Sequence, residues 1–306
     1  MSGEEGQVGS AERARAAGVA QQRATLVQVE PAGVYQRMVF EVPEIAEMAR
    51  PGQFVALTVG GELSATLLRR SFSIYAATPA IGPGPGRIEL VVAAHGQGTQ
   101  WLTTREPGTQ VDMVGPLGRP FPLPTQPVPC VLVGGGYGSA PLFWLTKALR
   151  ERGCAVALVL GAGGKDRLFG VLEAQRLVDH VSITTDDGSL GMTGVVSDAL
   201  PAAIAAVEAG VVYACGPMAM LRAVHEVAQE QGVVSQLAVE ESMACGVGIC
   251  MTCVLPVVGR DGVTRMLRSC VEGPVFRGDR IRWDAIDNGR CTVPDDALGA
   301  PSTGGH

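Results

Sequence analysis

Four cysteines crowd into one short stretch near the end of the chain. The four are Cys245, Cys250, Cys253 and Cys270. Four residues separate the first two and two residues separate the next two, a spacing typical of plant-type 2Fe–2S sites. Thiolates are the soft ligands that such clusters require, and Gly246 and Gly248 would let the backbone wrap closely around one. The sequence therefore predicts a 2Fe–2S cluster held by these four cysteines.

Two other interpretations of the cysteines stay open. A structural zinc site usually combines two C-x2-C pairs, and this stretch contains one such pair. The cysteines could also be buried thiols that bind no metal. Outside the stretch, Cys130, Cys154 and Cys291 stand alone in the sequence and are interpreted as ordinary core or surface thiols.

A second group of residues has the chemistry of a flavin site. A predicted strand carries Arg70, Ser71, Phe72 and Ser73. Arg70 can bind a pyrophosphate with two hydrogen bonds, Phe72 can pack against a flavin, and Ser73 can reach the edge of its ring. Gly98 and Thr99 begin a predicted helical turn, where free N–H groups favour phosphate. Another glycine-containing loop follows at residues 115–118.

A third group predicts a nicotinamide site. Gly134, Gly135, Gly136 and Gly138 join a predicted strand to a predicted helix. A dinucleotide pyrophosphate binds at such a junction, although the run is not G-x-G-x-x-G and no acidic residue ends the second strand. Cys215, Gly216 and Pro217 end the last strand of the same predicted sheet, so Cys215 is a candidate nicotinamide contact. Asp186 and Asp187 would repel a 2′-phosphate, which favours NAD over NADP.

The elements that position these groups fall into three predicted domains. Residues 21–124 contain short runs with turn signals, which predict an antiparallel β-barrel for FAD. Residues 128–234 alternate strand and helix patterns, which predict a parallel sheet for the nicotinamide nucleotide. One predicted helix has Ser139 as its cap and an apolar face. Residues 236–276 form the predicted cluster domain. We also expect a disordered tail at residues 1–20 and a loose tail at residues 277–306.

Composition limits the classes of function. Hydrophobic residues make up 46% of the 306 residues and charged residues 18%, as in folded proteins. A net charge of -6 argues against a nucleic-acid partner, because phosphate binding needs clustered cations. No apolar run reaches the roughly 20 residues that span a bilayer, and the first 20 residues contain no apolar signal core. We therefore expect a cytoplasmic protein without a membrane partner.

The motifs together resemble the ferredoxin–NADP reductase superfamily. The cysteine stretch narrows the resemblance to the electron-transfer subunits of class 1B dihydroorotate dehydrogenases, with Met251 and Thr252 departing from the compact residues expected there. The resemblance implies that FAD is held by Arg70, Ser71, Phe72, Ser73, Val91, Val92, Ala93, Gly98 and Thr99. It implies that Cys245, Cys250, Cys253 and Cys270 hold the cluster.

The same resemblance implies a partner and a reaction. The partner is an FMN-containing catalytic subunit that oxidises dihydroorotate to orotate in pyrimidine synthesis, in a heterotetramer with two subunits of each kind. Electrons run from FMN through the cluster and FAD to NAD, and no catalytic acid or base is predicted in this chain. Two alternatives stay open: a reductase subunit of a hydrogenase, sulfide reductase or bifurcating ferredoxin reductase, and a redox sensor without turnover.

Overall fold

The computed structural model describes residues 18–61, 66–80, 84–287 and 289–298. The tail predicted to be disordered, residues 1–20, lies outside these ranges except for its last three residues, which lead into the first strand.

Six antiparallel strands close into a barrel in the order β1-β2-β5-β4-β3-β6. They are β1 (Ala20–Ala32), β2 (Tyr35–Glu41), β3 (Phe54–Leu57), β4 (Arg70–Thr78), β5 (Arg87–Val92) and β6 (Gln110–Leu117), with helices α1 (Pro43–Met48) and α2 (Gln97–Thr103) between them. Alternate residues such as Phe40, Ile74 and Leu90 point inward and are fully buried. The antiparallel barrel predicted from the sequence is confirmed.

The strand that closes the barrel, β6, was not predicted. It pairs with β1 from Ala20 opposite Gly115 to Thr25 opposite Gln110, and with β3 on its other side. Its end contains Gly115 and Pro116, which indicate a loop in the sequence. Barrel closure removes the exposed strand edges, and this tertiary gain outweighs the weak local signal.

Seven strands form the second sheet, in the order β10-β9-β8-β7-β11-β12-β15. They are β7 (Cys130–Gly135), β8 (Val156–Ala162), β9 (His180–Thr185), β10 (Met192–Thr193), β11 (Val211–Gly216), β12 (Val234–Val239) and β15 (Val275–Arg277). The helices around it are α3 (Ala140–Glu151), α4 (Val171–Leu177), α5 (Val196–Val207) and α6 (Met218–Glu230). All neighbours are parallel except β12 and β15. The predicted parallel-sheet domain is confirmed.

Helix α3 follows the glycine-rich turn, and its predicted apolar face is confirmed. Leu142, Leu145 and Leu149 are all fully buried. Ser139, predicted as the helix cap, has another role, because its hydroxyl donates a 2.8 Å hydrogen bond to the carbonyl of Gly136. This bond lies within the 3₁₀ turn Gly136–Ser139, and the hydroxyl accepts no hydrogen bond from an N–H group of the helix.

The chain after β12 contains two small hairpins, one on either side of β15. They are formed by β13 (Val254–Val258) with β14 (Thr264–Arg268), and by β16 (Ile286–Asp287) with β17 (Arg290–Cys291). The prediction of a loose tail from residue 277 is wrong for the described residues 277–287 and 289–298, among which Ile281, Ala285 and Ile286 are buried. The Asp-, Gly- and Pro-rich composition conceals these apolar anchors. The predicted domain boundaries themselves stay predictions.

An aromatic cluster joins the barrel to the parallel-sheet domain. Tyr35 and Tyr75 of the barrel lie with their ring centroids 6.2 Å and 5.8 Å from that of Phe169, in edge-to-face geometry. Phe143 of α3 packs against Phe169 at 5.7 Å. The Tyr75 hydroxyl donates to the carboxylate of Glu173, and burial followed by this hydrogen bond raises the pKa of Tyr75. The cluster fixes the two domains so that their sites face each other.

Candidate functional site

A crevice between the two domains contains two adjoining cavities. The larger, of about 620 Å³, lies over the carboxyl ends of the parallel strands, and the smaller, of about 300 Å³, lies against barrel strand β4. Tyr137 and Glu240 line both cavities. Ligand sites of open parallel sheets lie at this edge, so the crevice is the candidate functional site.

The flavin motif lies on the barrel side of the smaller cavity. Ser71, Phe72, Ser73 and Val91 line this cavity. Phe72 also packs against the barrel core. Val92 and Ala93 line neither cavity, because both are buried in hydrophobic cores. The assignment of these residues to a flavin stays a prediction.

Arg70 lies directly over Gly98. A Cβ on Gly98 would lie 3.1 Å from Nε of Arg70 and 2.8 Å from Val59, so glycine makes room for the guanidinium. Arg70 donates a 2.7 Å hydrogen bond to the carbonyl of Leu68. Within the described ranges no carboxylate pairs with it, and its charge is available to a phosphate.

Thr99 shapes the loop in front of α2. Its hydroxyl accepts hydrogen bonds from the N–H groups of His95 at 2.9 Å and Gly96 at 3.0 Å. It also donates to the carbonyl of Gly96 at 3.1 Å. The side chain therefore holds the loop in shape, and its predicted contact with phosphate would have to use its backbone N–H.

The glycine-rich turn after β7 packs closely against the end of β11. Gly135 and Gly136 line the larger cavity, and Gly136 has φ +56°, a conformation that glycine adopts without strain. A Cβ on Gly138 would lie 3.1 Å from the carbonyl of Cys215 and 3.0 Å from Gly216. Gly134 lines neither cavity, and the absence of its Cβ makes room for Ser139.

Cys215 and Pro217 lie on opposite sides of the turn. Cys215 lines the smaller cavity, and Pro217 lines the larger one. Burial, and to a lesser extent Glu240, raises the pKa of Cys215, so its thiol is neutral near pH 7. A neutral thiol suits the predicted nicotinamide contact better than a role as nucleophile or base, and the contact itself stays a prediction.

Glu240 and Glu241 are site residues that sequence reasoning missed. Both line the smaller cavity directly after β12, at the edge where parallel strands present side chains to ligands. Glu240 is exposed toward the crevice, yet protein surrounds it closely enough that desolvation raises its pKa. Their position after a buried strand was the available signal.

Only one of the two predicted nucleotide-selecting aspartates reaches the larger cavity. Asp186 lines it. The carboxylate of Asp187 instead accepts a 2.9 Å hydrogen bond from the N–H of Ser189, and hydrogen bonding to Ser189 lowers its pKa. The prediction that carboxylates here disfavour a 2′-phosphate now concerns Asp186.

The cysteine loop, residues 245–253, lies against β4, the strand that carries the predicted flavin motif and is called the flavin strand below. Gly246 and Gly248 have φ +71° and +82°, and a Cβ on Gly246 would lie 3.6 Å from Oγ of Ser71. Met251 also has a positive φ, of +58°, which is unusual for a side chain of its type. The loop thus turns tightly and carries the cysteines next to the barrel.

The four cysteine thiols lie near one another. Cys245 interacts with Cys250, Cys253 interacts with Cys270, and Cys245 also interacts with Cys270. Across the described ranges no three His, Cys, Asp or Glu side chains surround a single metal ion. Four neighbouring thiolates fit a 2Fe–2S cluster, because each of its irons takes two of the four.

Donors around the thiols also suit a cluster. The N–H groups of Val247 and Ile249 point to Sγ of Cys245 at 3.4 and 3.3 Å. The Thr252 hydroxyl donates to Sγ of Cys250 at 3.0 Å, and hydrogen bonds from Thr252 and then Cys245 lower the pKa of Cys250 to about 6. Hydrogen bonds to ligand sulfurs stabilise their negative charge. The assignment of the four ligands stays a prediction that these contacts support.

Comparison with solved structures defines the class of the protein. An NADH-dependent reduced ferredoxin-NADP oxidoreductase, solved in a study of flavin-based electron bifurcation, has 31% sequence identity and a TM-score of 0.73. The match covers 86% of this chain and 91% of that one. A cytochrome P450 reductase from Amycolatopsis shares the fold at a TM-score of 0.55 and 23% identity, over 70% of this chain and 66% of that one. The chain has the fold of the ferredoxin–NADP reductase-like flavoproteins.

Sequence comparisons are more specific. Residues 240–282 match the iron–sulfur cluster binding domain of dihydroorotate dehydrogenase B. The proteins named dihydroorotate dehydrogenase B (NAD(+)), electron transfer subunit, from Desulforamulus reducens and Geobacillus thermodenitrificans are 35% and 40% identical. These matches cover 81% and 78% of this chain and 92% and 88% of the relatives. The chain belongs to this family of electron-transfer subunits. Among the described residues, no helix is long and apolar enough to cross a membrane.

Proposed function

We propose that the chain is the electron-transfer subunit of an NAD-dependent dihydroorotate dehydrogenase that acts in pyrimidine synthesis. One observation carries the proposal. The cysteine loop, through Gly246, lies beside Ser71 of the flavin strand, while the nucleotide cavity opens on the other side of the same crevice. A bound flavin exchanges single electrons with a 2Fe–2S cluster and hydride with NAD. The order of sites in this chain matches that chemistry.

The residues of this chain bind and orient the groups. Arg70, which has no carboxylate partner among the described residues, offers its guanidinium to the flavin diphosphate, and Ser71 and Ser73 line the smaller cavity. The missing Cβ of Gly138 keeps the glycine turn close to the end of β11, where the neutral thiol of Cys215 faces the cavity. In this role none of these side chains needs to transfer a proton.

The partner is a catalytic subunit that contains FMN, and it docks on the cysteine loop. Three apolar side chains of the loop face solvent: Val247, Ile249 and Met251. Ile249 is 80% exposed, which is unfavourable unless another protein covers it. A partner seated there would place its FMN near the cysteines. Two copies of each subunit would form the complex, in the cytoplasm.

A second candidate is a reductase subunit of an electron-bifurcating complex. The similarity to the reduced ferredoxin-NADP oxidoreductase, at 31% identity over 86% of this chain, favours it. Several dihydroorotate dehydrogenase subunits reach higher identity, such as the 40% of the Geobacillus thermodenitrificans relative. The partner that copurifies separates the two candidates.

The test is reconstitution with an FMN-containing dihydroorotate dehydrogenase subunit. We expect a stable complex that forms NADH only when dihydroorotate is supplied. Cys250→Ser should abolish this activity and leave NADH oxidation by ferricyanide, which needs the flavin alone. If Cys250→Ser keeps the dihydroorotate activity, the proposed electron route is wrong.

A docking variant tests the partner surface. Ile249→Glu should weaken copurification of the catalytic subunit, because a carboxylate would be buried at the interface. Leu172→Glu, on α4 and 70% exposed, is the matched control and should leave the complex intact. Equal copurification with both variants would contradict docking at the cysteine loop.

A further inference from the structure

The larger cavity is lined by few charged side chains. Among the described residues that line it, Arg167 is the one permanent cation, and Asp186 and Glu240 are the carboxylic acids. Nicotinamide nucleotides carry two negative charges on the diphosphate, and NADP carries a further phosphate on the adenosine ribose. A single guanidinium can pair with one of these groups, and its position indicates which.

Arg167 ends a 3₁₀ turn, Lys165–Arg167, beyond the carboxyl end of β8. Its Nη1 lies 3.7 Å from the position that a Cβ on Gly163 would occupy, and Oδ2 of Asp186 lies 3.8 Å from the same position. No ion pair joins Arg167 to Asp186 or to another acid in the described part of the chain. The two side chains therefore face one region of the cavity with both charges unpaired.

The backbone of Arg167 lies next to the glycine-rich turn. Its carbonyl oxygen is 3.8 Å from the position of a Cβ on Gly136. Gly136 belongs to the turn between β7 and α3, where the fold places a dinucleotide diphosphate. Arg167 thus lies beside the turn at which a diphosphate would bind, and its guanidinium lies near Gly163 in the same cavity.

A barrel residue holds Arg167 in this place. The hydroxyl of Tyr35 donates a 2.7 Å hydrogen bond to the carbonyl of Arg167. Tyr35 is buried and lies edge-to-face against Tyr137 and Phe169, so its ring has little freedom to move. The barrel that carries the flavin motif therefore also anchors the backbone of the residue that brings a cation to the larger cavity.

We propose that Arg167 binds the diphosphate of the nicotinamide nucleotide, that Tyr35 positions Arg167, and that Asp186 excludes a 2′-phosphate. The proposal rests on the proposed function in that the nucleotide is NAD(H). Arginine binds phosphate oxygens with two parallel hydrogen bonds, which the free guanidinium can supply. Asp186 places a carboxylate where an additional phosphate would meet a like charge.

The first test measures binding of ADP-ribose and 2′-phospho-ADP-ribose to the flavin-loaded chain by calorimetry. Arg167→Gln should raise the Kd for ADP-ribose about ten- to a hundredfold, because a charged hydrogen-bonded contact is lost. Lys165→Gln, which removes the neighbouring exposed cation outside the cavity, should change it less than twofold. If Arg167→Gln weakens only 2′-phospho-ADP-ribose, Arg167 binds the 2′-phosphate and the proposal fails.

The second test concerns selection against the 2′-phosphate. Asp186→Asn should lower the Kd for 2′-phospho-ADP-ribose about tenfold and change the Kd for ADP-ribose less than threefold. Asp166→Asn, a neighbouring exposed carboxylate that does not line the cavity, is the control. An unchanged ratio of the two Kd values in Asp186→Asn would refute this part.

The third test separates positioning from stability. Tyr35→Phe should raise the KM for NADH severalfold in ferricyanide reduction and leave kcat unchanged. Tyr75→Phe removes an interface hydroxyl of the same kind, away from the cavity, and should leave KM unchanged. Equal KM values for both variants would contradict a positioning role. Binding of ADP-ribose needs neither partner nor dihydroorotate, so these results stand even if the complex fails to oxidise dihydroorotate.

Discussion

A chain that ends after Arg280 should lose far more stability than the removal of a loose tail would cause. Compared with a control chain that ends after Leu298, this chain lacks residues 281–298, which include the buried Ile281 and Ile286. Ile281 forms a β-bridge with Val257, and the N–H of Arg282 donates to the carbonyl of Pro256 at 3.0 Å. The segment therefore supports β13, the strand that begins directly after Cys253.

The magnitude follows from the buried side chains. Complete burial of an isoleucine contributes about 1.5–3 kcal/mol, so the two together contribute about 3–6 kcal/mol. The ion pairs of Arg282 with Asp284 and Asp296 involve exposed carboxylates and add little. A loss of this size is comparable with the whole stability of a small domain, about 5–15 kcal/mol.

The assay compares two truncated chains. One ends after Arg280, and the control ends after Leu298, the last residue that the structure describes. Thermal unfolding should begin on the order of 10 °C lower in the shorter chain. Its iron content after purification should fall as well, because β13 directly follows Cys253 and holds that end of the cysteine loop in place. Equal unfolding temperatures and equal iron contents in the two chains would refute this reasoning.

Three further substitutions test the crevice and the domain interface. Desolvation raises the pKa of Glu240, so the wild-type chain should lose stability as the pH rises above the ordinary carboxyl pKa. Glu240→Gln should therefore unfold at a higher temperature than wild type at pH 8. If the variant has the same advantage at pH 4, this reasoning is wrong. Gly170→Ala should lower the free energy of unfolding by about 1–3 kcal/mol more than Gly232→Ala does. Both glycines have φ near +70°, but a Cβ on Gly170 would clash with Phe143, whereas Gly232 faces open space. Equal unfolding temperatures of the two variants would exclude the clash. Arg70→Gln should raise the Kd for FAD about ten- to a hundredfold in a fluorescence titration, and a change below twofold would remove Arg70 from the flavin site.

The sequence was most informative where local pattern and tertiary structure agree. Apolar spacing over residues 142–149 predicted the buried face of α3, and glycines at the end of β7 predicted the turn that lines the larger cavity. These features depend on contacts between residues close in sequence, so period and turn chemistry reveal them.

The features that could not be predicted depend on distant residues. Strand β6 exists because β1 and β3 lie on either side of it. The orientation of Asp187 is an exception, because it depends on local turn geometry: its carboxylate accepts a hydrogen bond from the N–H of Ser189, two residues further on. Arg167 gives no signal by itself, because Tyr35, far away in the sequence, holds it at the cavity.

The pairing of β12 with β15 has a consequence for cofactor assembly. Ala238 lies opposite Val275 in this antiparallel pair. Residues 239–274, which include all four cysteines, therefore form one long segment whose two ends meet at the sheet. The entropy of bringing the first and last cysteine together is then lost when the polypeptide folds and not when iron arrives. An iron-free chain with an intact sheet should accordingly take up a cluster without refolding, because the sheet already holds the two ends of the cysteine-containing segment together.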